Sequence, residues 1–332
     1  MPIRETLFLG RGDVRRLLSM ETALPVVESA FAAHGRGETR MPPKIYLDLP
    51  EFKGDFRAMP AYIPSLNAAG VKWVSSHTAN PGRGLPAVIA VLILSDPETA
   101  EPLAIMDATH LTLMRTGAAG GVAARYLSRE DSHVLALVGA GVQSHAQLDA
   151  IRLVRPVRQV RLSDPNQAAV QSFMDHFGAD PELEITICGD GREAVAGADI
   201  VVTTTPSRKP VVRRDWLGDA VHINAIGADA MGKQELETAI LQDARVYIDD
   251  REQALHSGEV NVPVSSGAWS ADNLAGSLGE VVAGLAEGRT RGGGLTVFDS
   301  TGLAVQDMAV ARAVYDRAVK EGVGQALPLA TE

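Results

Sequence analysis

Val134-Leu135-Ala136-Leu137-Val138-Gly139-Ala140-Gly141-Val142-Gln143-Ser144 is an apolar run that ends in a glycine turn. A hydrophobic strand feeding such a turn, and then a helix, is the arrangement that binds a dinucleotide pyrophosphate. Glycines allow the tight turn and a close backbone approach, and the helix N-terminus offers free N–H groups. Ser144 stands where the usual fingerprint has its third glycine, so the motif alone reads equally as a tight turn. Its context favours the nucleotide. After the next helical window a second strand, Val160-Arg161-Leu162, leads to Asp164, where a carboxylate would accept from the adenosine ribose hydroxyls. More than a hundred residues precede the motif. The chain therefore carries another unit first, expected to hold the substrate.

Composition sets the outer limits. The 332 residues suffice for two cored domains, and 45% hydrophobic with 22% charged residues is ordinary for a globular protein. Lys and Arg number 31 against 41 Asp and Glu, a net charge of −10, and no basic stripe suggests nucleic acid. Cys188 is the single cysteine, which excludes a disulfide framework and a cysteine metal site. The segment MPIRETLFLG lacks the apolar core of a leader, and no stretch reaches membrane-spanning length, so a cytoplasmic location is expected.

Hydrophobic periodicity predicts a helix over 19–34, with Pro25 in or near its first turn or else kinking it, then extended segments over 44–49, 56–62 and 70–76. Ala87 to Leu94 reads as a buried strand, turned by Asp96-Pro97-Glu98-Thr99 into Pro102 to Met106. A helix of small residues is expected to open at Thr116. From there strands at 133–138, 159–162, 183–187, 200–205, 220–226 and 244–248 alternate with helical windows, among them Gln143–Leu153 and Lys233–Leu241. Gly292-Gly293-Gly294 marks a surface turn, and the helical pattern over 302–319 is expected to return to the front of the chain. The fold class is α/β, a Rossmann-type doubly wound parallel sheet plus a mixed α+β substrate and dimerisation domain. The first would span residues 116–301, the second 1–115 with 302–332.

Four constellations beside the glycine turn could carry chemistry. Lys72, in Gly70-Val71-Lys72-Trp73-Val74, points away from its apolar neighbours in a strand; in a closed site its pKa would fall toward a useful acid–base range, otherwise it is a surface lysine. Arg57 could fork a substrate carboxylate or serve a structural salt bridge. Arg115 and Thr116, at the expected helix N-terminus, suit a cofactor phosphate, although capping by Thr116 explains part of the pattern. Asn224-Ala225-Ile226-Gly227-Ala228-Asp229 closes the fifth strand of the alternating series, where the ligand crevice of an open sheet lies; helix capping ahead of Lys233 competes for Asp229. His77 and His145 lack metal-ligand spacing, so no metal is expected, and no GxSxG elbow supports a hydrolase.

Taken together, MPPKIYLDL (41–49), FRAMPAY (56–62), GVKWVSSH (70–77), MDATHLTLMRTGAAGG (106–121), TTTPSRKPVV (203–212), HINAIGAD (222–229), GKQEL (232–236) and FDSTGLAVQD (298–307) resemble the ornithine cyclodeaminase/mu-crystallin family over nearly the whole chain. Within it the likeness is to the archaeal-type, NAD-dependent alanine dehydrogenases. The resemblance implies that Lys72 and Arg57 match active-site residues and that Thr301 lies near the nicotinamide. It implies a catalytic pair, Lys72 and Asp229, and a substrate set of Arg57, Lys44, Lys72 and Gly302. The implied cofactor set is Arg115, Thr116, Gly139, Gly141, Val142, Gln143, Asp164, Thr205, Asn224, Ala225, Ile226, Gly227, Lys233 and Thr301. Where the cyclodeaminases carry Glu-Leu ahead of Met-Pro this chain has Arg57-Ala58, so an ornithine ammonium would meet a cation. They also carry an arginine near the position of Lys44. Asp164 favours NAD, since it would repel the 2′-phosphate of NADP.

The expected activity is NAD-dependent reduction of a 2-imino acid formed from a small 2-oxo acid and ammonia, with alanine and pyruvate as the first substrate pair, at a site in the cleft between domains. Reduction of iminosuccinate to aspartate or of cyclic ketimines, and ornithine cyclodeamination, are alternatives; a dicarboxylate would need a second cation from His77, Arg83 or Lys44. A mu-crystallin-like binding protein is the non-enzyme alternative, against which Lys72, Arg57 and Asp229 argue together. A homodimer is expected, with no nucleic-acid or membrane partner.

Overall fold

The computed structural model describes residues 5–290 and 293–329. Met1 to Arg4, in the segment read for a leader, and Gly292 of the expected glycine turn lie outside them; Gly293 and Gly294 both take positive φ. The chain divides into two compact units, Met1–Arg115 with Leu303–Glu332, and Thr116–Gly302.

The front of the chain runs β1 (Thr6–Leu9), α1 (Arg11–Leu17), α2 (Met20–Gly35), β2 (Ile45–Leu49), β3 (Gly54–Ile63), β4 (Ala68–His77), β5 (Val88–Ser95), β6 (Pro102–Asp107) and α3 (Thr109–Leu127). The middle runs β7 (Val134–Val138), α4 (Val142–Arg152), β8 (Gln159–Ser163), α5 (Gln167–Phe177), β9 (Glu184–Ile187), α6 (Gly191–Val195), β10 (Ile200–Thr203), β11 (His222–Ala225), α7 (Thr238–Asp243), β12 (Arg245–Ile248), α8 (Arg251–Ser257), α9 (Asn261–Ser265), β13 (Leu274–Ser277), α10 (Leu278–Val282) and β14 (Thr296–Asp299). The chain ends in α11 (Ala304–Glu321) and β15 (Gln325–Leu327).

In the first unit the described strands form a sheet in the order β15-β1-β6-β5-β4-β3-β2, antiparallel except for the β1–β6 pair. Period-2 alternation puts Met59, Ala61, Ile63, Val74, Ala90, Leu92 and Leu94 on one buried face. The apolar stripes of α2 (Val27, Phe31) and α11 (Val305, Met308, Val314) are buried as well, and α11 packs on β3, β4, β5 and α2. Gly70 permits this close packing. A Cβ there would fall 2.1 Å from Ile93 O and 3.1 Å from Met308 Sδ.

The second unit is a doubly wound sheet, parallel throughout, in the order β13-β12-β14-β11-β10-β7-β8-β9. β7 is buried along its whole length. Leu135 and Leu137 join one core with Leu148, Leu162 and Phe173, while Ala136 and Val138 join another with Val201, Ile223 and Val297. The order reverses at the β7–β10 boundary, where open α/β sheets bind their ligands.

Four expectations need correction. The Gly/Ala helix does not open at Thr116 but at Thr109: His110-Leu111-Thr112 continue its periodicity, and Asp107 Oδ1 accepts from His110 N at 3.3 Å. Pro25 lies at the sixth position of α2, past the first turn. Lys233–Leu241 is not one helix, since α7 starts only at Thr238. And Ala87–Leu94, read as a buried strand, buries only one face within the single chain, since Ile89, Val91 and Ile93 are exposed on the other.

Candidate active site

Lys72 contradicts the simple picture of a strand with apolar residues inside. Trp73 is 44% exposed and Lys72 is fully buried, between Met59 on β3 and Leu92 on β5. Its Nζ donates to Asp307 Oδ1 at 2.8 Å and lies 2.8 Å from Oδ2. Arg115, also buried, donates from Nε to the same Oδ1 at 3.1 Å and from Nη1 to Gln306 Oε1 at 3.2 Å. Burial draws the Lys72 ammonium down to about 7; Arg115 and Lys44 push the same way, and Asp307 opposes them. A lysine with that ionisation both gives and takes protons near neutrality.

Arg57 shares this sheet face, two residues from Met59 and opposite Val74. Its fork is engaged by its own strand: Nε donates to Asp55 Oδ1 at 2.8 Å and Nη2 to Oδ2 at 2.9 Å, and the guanidinium lies over the Tyr46 ring. Lys44 immediately precedes β2 and acts electrostatically on Lys72. Lys44, Arg57, Lys72 and Arg115 thus gather with two carboxylates, Asp55 and Asp307, within one unit. His77 faces the other side of the sheet, with Phe56, and Arg83 is exposed in a short 3-10 turn, so the strand geometry excludes His77 from this group. Arg115 is likewise not at a helix N-terminus but in the interior of α3; its guanidinium serves the Asp307 cluster. Thr116, the next residue of α3, accepts through its carbonyl from Gln147 Nε2 at 2.9 Å.

In the other unit the glycine turn has the geometry a dinucleotide needs. Gly139 takes φ +108°, and a Cβ there would fall 2.7 Å from Thr204 Oγ1. Gly141 caps α4 without a side-chain hydrogen bond and faces open space; Val142 beside it is exposed, and Gln143 Nε2 is buried without a hydrogen-bond partner. Ser144 is fully buried and returns its hydroxyl to Gly141 O at 2.7 Å, which explains how serine fits at the third glycine's position. Asp164 accepts from Ala140 N at 2.7 Å, so the end of β8 is tied to the turn. An uncapped helix N-terminus, a glycine with no room for a side chain and a spare amide donor suit a pyrophosphate.

The ends of β10, β11 and β14 are braced by buried carboxylates that the sequence did not single out. Glu235 accepts from Thr203 Oγ1 (2.7 Å), Thr205 N (2.6 Å), Thr205 Oγ1 (2.7 Å) and Gly227 N (2.8 Å). Glu259 in turn accepts from Glu235 N and Leu236 N, and burial pushes both of these carboxyls upward, Glu259 the further. Asp249 accepts from Thr301 N, Thr301 Oγ1 and Gly302 N, the last at 2.7 Å with Gly302 at φ +76°. Asp229 pairs with Lys233 Nζ at 2.5 Å, and with no helix at Lys233 its capping role falls away. Three residues of the expected cofactor set are buried. The Asn224 side chain is fully buried, donating to Gly120 O at 3.0 Å and meeting the His222 ring at 2.9 Å, while Ala225 is a core residue and Ile226 is buried. His222 itself is held neutral by burial, its ionisation pushed down to about 3. The missed Gln306-Asp307 pair had one visible signal: it interrupts an otherwise apolar run, Leu303 to Ala311.

Among the described residues no cluster of His, Cys, Asp and Glu is arranged to hold a metal ion, and no helix is long and apolar enough to cross a membrane. The chain is 47% identical to alanine dehydrogenase of Archaeoglobus fulgidus over 320 residues, 96% of this chain and 97% of that one. Its structure is similar to that of an archaeal alanine dehydrogenase dimer with bound NAD (TM-score 0.94, 46% identity, 98% of this chain and 100% of that one). It is equally similar to the Δ1-pyrroline-2-carboxylate reductase of Thermococcus litoralis in complex with NADH and L-proline (TM-score 0.94, 34% identity, 97% and 100% covered). Residues 4–322 match the ornithine cyclodeaminase/mu-crystallin family, and the chain belongs to it.

Proposed function

We propose that this protein is an NAD-dependent amino-acid dehydrogenase that reduces the imine of a small 2-oxo acid, with pyruvate and ammonia as substrates and L-alanine as product. The observation that carries the reading is the buried lysine. Lys72 ionises near 7 beside Asp307 and Arg115, on the same sheet face as Arg57 and Lys44. Imine formation moves protons twice: the nitrogen of ammonia gives up one in reaching the iminium, and the carbonyl oxygen takes up two, that one and one from solvent, to leave as water. Lys72 Nζ is suited to that exchange because both its protonation states are populated at neutral pH. Arg57 and Lys44 are the cations offered to the substrate carboxylate, and Arg115, seated in the Lys72 cluster, joins them on that side. Asp229, following the end of β11, is offered as the counter-charge to the iminium.

The glycine turn, Val142, Gln143, Thr205, Gly227, Lys233 and Thr301 would hold the dinucleotide, with Asp164 at the adenosine ribose. NADH supplies the hydride when bound. The relative with bound NAD and the relative with bound NADH support this cofactor. The exposed apolar face of the first unit's sheet and the dimer of the archaeal relative support a homodimer, and a cytoplasmic location accords with soluble substrates.

NADH oxidation with ammonium and a panel of 2-oxo acids tests the reading. Turnover with pyruvate as the preferred acid is expected. Preference for oxaloacetate would point to iminosuccinate instead, and ammonia release from ornithine without net change in NADH would overturn the assignment in favour of a cyclodeaminase.

A further inference from the structure

Asp307 sits in the first turn of α11, 235 residues along the chain from Lys72. Its fully buried carboxylate meets cations from two other elements, Lys72 on β4 and Arg115 on α3, both through Oδ1. Gln306 beside it takes the other arm of Arg115, and its own Nε2 is buried without a hydrogen-bond partner. We propose that Asp307 is the positioning residue of the acid–base site: it bridges Lys72 and Arg115, fixes where both point, and acts on the reaction through them without touching substrate. This inference rests on the reading of Lys72 as the proton-exchanging group.

The charge arrangement supports a functional bridge over a simple structural pair. One carboxylate divided between two buried cations leaves each incompletely neutralised, which keeps a proton on Lys72 exchangeable. A one-to-one pair would hold that proton far more tightly. The charged groups acting on Lys72 are Asp307 from α11, Arg115 from α3 and Lys44 ahead of β2; the residues opposite it on β3 and β5, Met59 and Leu92, are apolar, and the Arg57–Asp55 pair is the next charged group along β3. All three charges come from outside β4 and its neighbouring strands, β3 and β5. The returning helix therefore completes the site chemically as well as covering the sheet.

The test is the pH dependence of kcat for the full-length protein, with all variants assayed in the same solutions so that substrate ionisation cancels. Asp307→Asn removes the one charge that favours the lysine's proton. The limb attributed to Lys72 should move to lower pH by about one unit or more. Turnover at neutral pH should fall about tenfold or more, with KM for NADH within about threefold of wild type. Arg115→Gln removes an opposing charge and should move the same limb upward. Should Asp307→Asn fail to fold, Arg115→Gln and the charge-conserving Asp307→Glu decide: the bridge requires an upward shift in the first and a limb near its wild-type position, with lower kcat, in the second. An unmoved limb with wild-type kcat in Asp307→Asn, or an unmoved or lowered limb in Arg115→Gln, overturns the proposal. Lys72→Ala separates the two levels. If it turns over like wild type, the underlying reading of Lys72 fails; if it is inactive while Asp307→Asn behaves as wild type, only the bridge fails.

Discussion

Asp164 Oδ2 accepts a hydrogen bond from Ala140 N at 2.7 Å, and its Oδ1 accepts another from Asn166 N at 2.7 Å. The carboxylate that follows β8 is thereby fixed against the glycine turn that follows β7, its position set by backbone on both sides. A fixed negative charge there disfavours a 2′-phosphate more than a mobile one would, because it cannot swing away.

Cofactor choice should follow from this. Replacing Asp164 with Ser should weaken NADH about tenfold, the scale of one lost charged hydrogen bond, and improve NADPH in the same variant. The ratio of kcat/KM for the two cofactors is the measurement. A wild type that already prefers NADPH would remove the basis for this role of Asp164.

Lys72 links activity to stability. Its ammonium ionises at about 7 in the folded chain against 10.5 unperturbed. Between those values the unfolded chain binds more protons, so stability rises with pH across this window; below about 7 both states are protonated and the burial penalty is felt in full. Lys72→Met leaves Asp307 paired with Arg115 and should lose this slope, gaining stability relative to wild type on the acid side by an amount on the order of a few kcal/mol. Its turnover should fall by about 10² to 10⁴. Thermal unfolding of both proteins at mildly acidic and alkaline pH checks the sign: parallel Tm profiles would mean that Lys72 keeps an ordinary ionisation.

How much of this was written in the sequence differs between the two units. The parallel sheet was legible because β7 and β10 are short apolar runs, β8 and β11 are short segments alternating polar and apolar residues, and helical periods separate them; Gly139 takes the positive φ that its place in the motif requires. The site in the first unit was legible only in part. Lys72 stood out by pointing away from its apolar neighbours, but the pattern left open which side is closed; Lys72 is fully buried while Trp73 and Val91 lie on the open face. Asp307 and Asp55 were not found, for different reasons. The Lys72–Asp307 pair spans almost the whole chain, beyond any local pattern, whereas Asp55 lies two residues from Arg57 and same-face pairing in a strand could have revealed it. Glu259 was hidden because its partners are backbone N–H groups, which leave no trace in side-chain identity, and Glu235 because it divides between such groups and the hydroxyls of Thr203 and Thr205, some thirty residues away.

The open sheet face predicts an oligomer. Ile45, Ala58, Trp73 and Val91 stand opposite one another across β2, β3, β4 and β5, and three of them are large, apolar and 44–66% exposed. Such a row rimmed by further apolar residues is unusual on a monomer and suits a second copy of the chain. Sedimentation at micromolar concentration should give twice the 35.1 kDa chain mass. Trp73→Glu should shift the population to the single chain while leaving far-UV circular dichroism unchanged. A wild type that sediments as one chain would refute the assignment of this face.

Arg57 gives the sharpest distinction between a ligand-binding and a structural cation, because its fork is already occupied by Asp55 at 2.8 and 2.9 Å. A substrate carboxylate would have to compete with Asp55 or share the guanidinium with it. Asp55→Asn therefore discriminates where removing the arginine alone would not. If Arg57 clamps the substrate, neutralising Asp55 releases the guanidinium to the ligand, and KM for pyruvate should fall. If Arg57 serves only the pair, the same variant should lower Tm and leave KM unchanged, or raise it only as the fold loosens. Arg57→Met completes the comparison: loss of a charged bidentate contact, about 1.5–3 kcal/mol, should raise KM for pyruvate roughly ten- to a hundredfold in a protein that still melts cooperatively. Wild-type KM in Arg57→Met together with a lowered Tm would assign the residue to the fold and leave the carboxylate to Lys44 and Arg115.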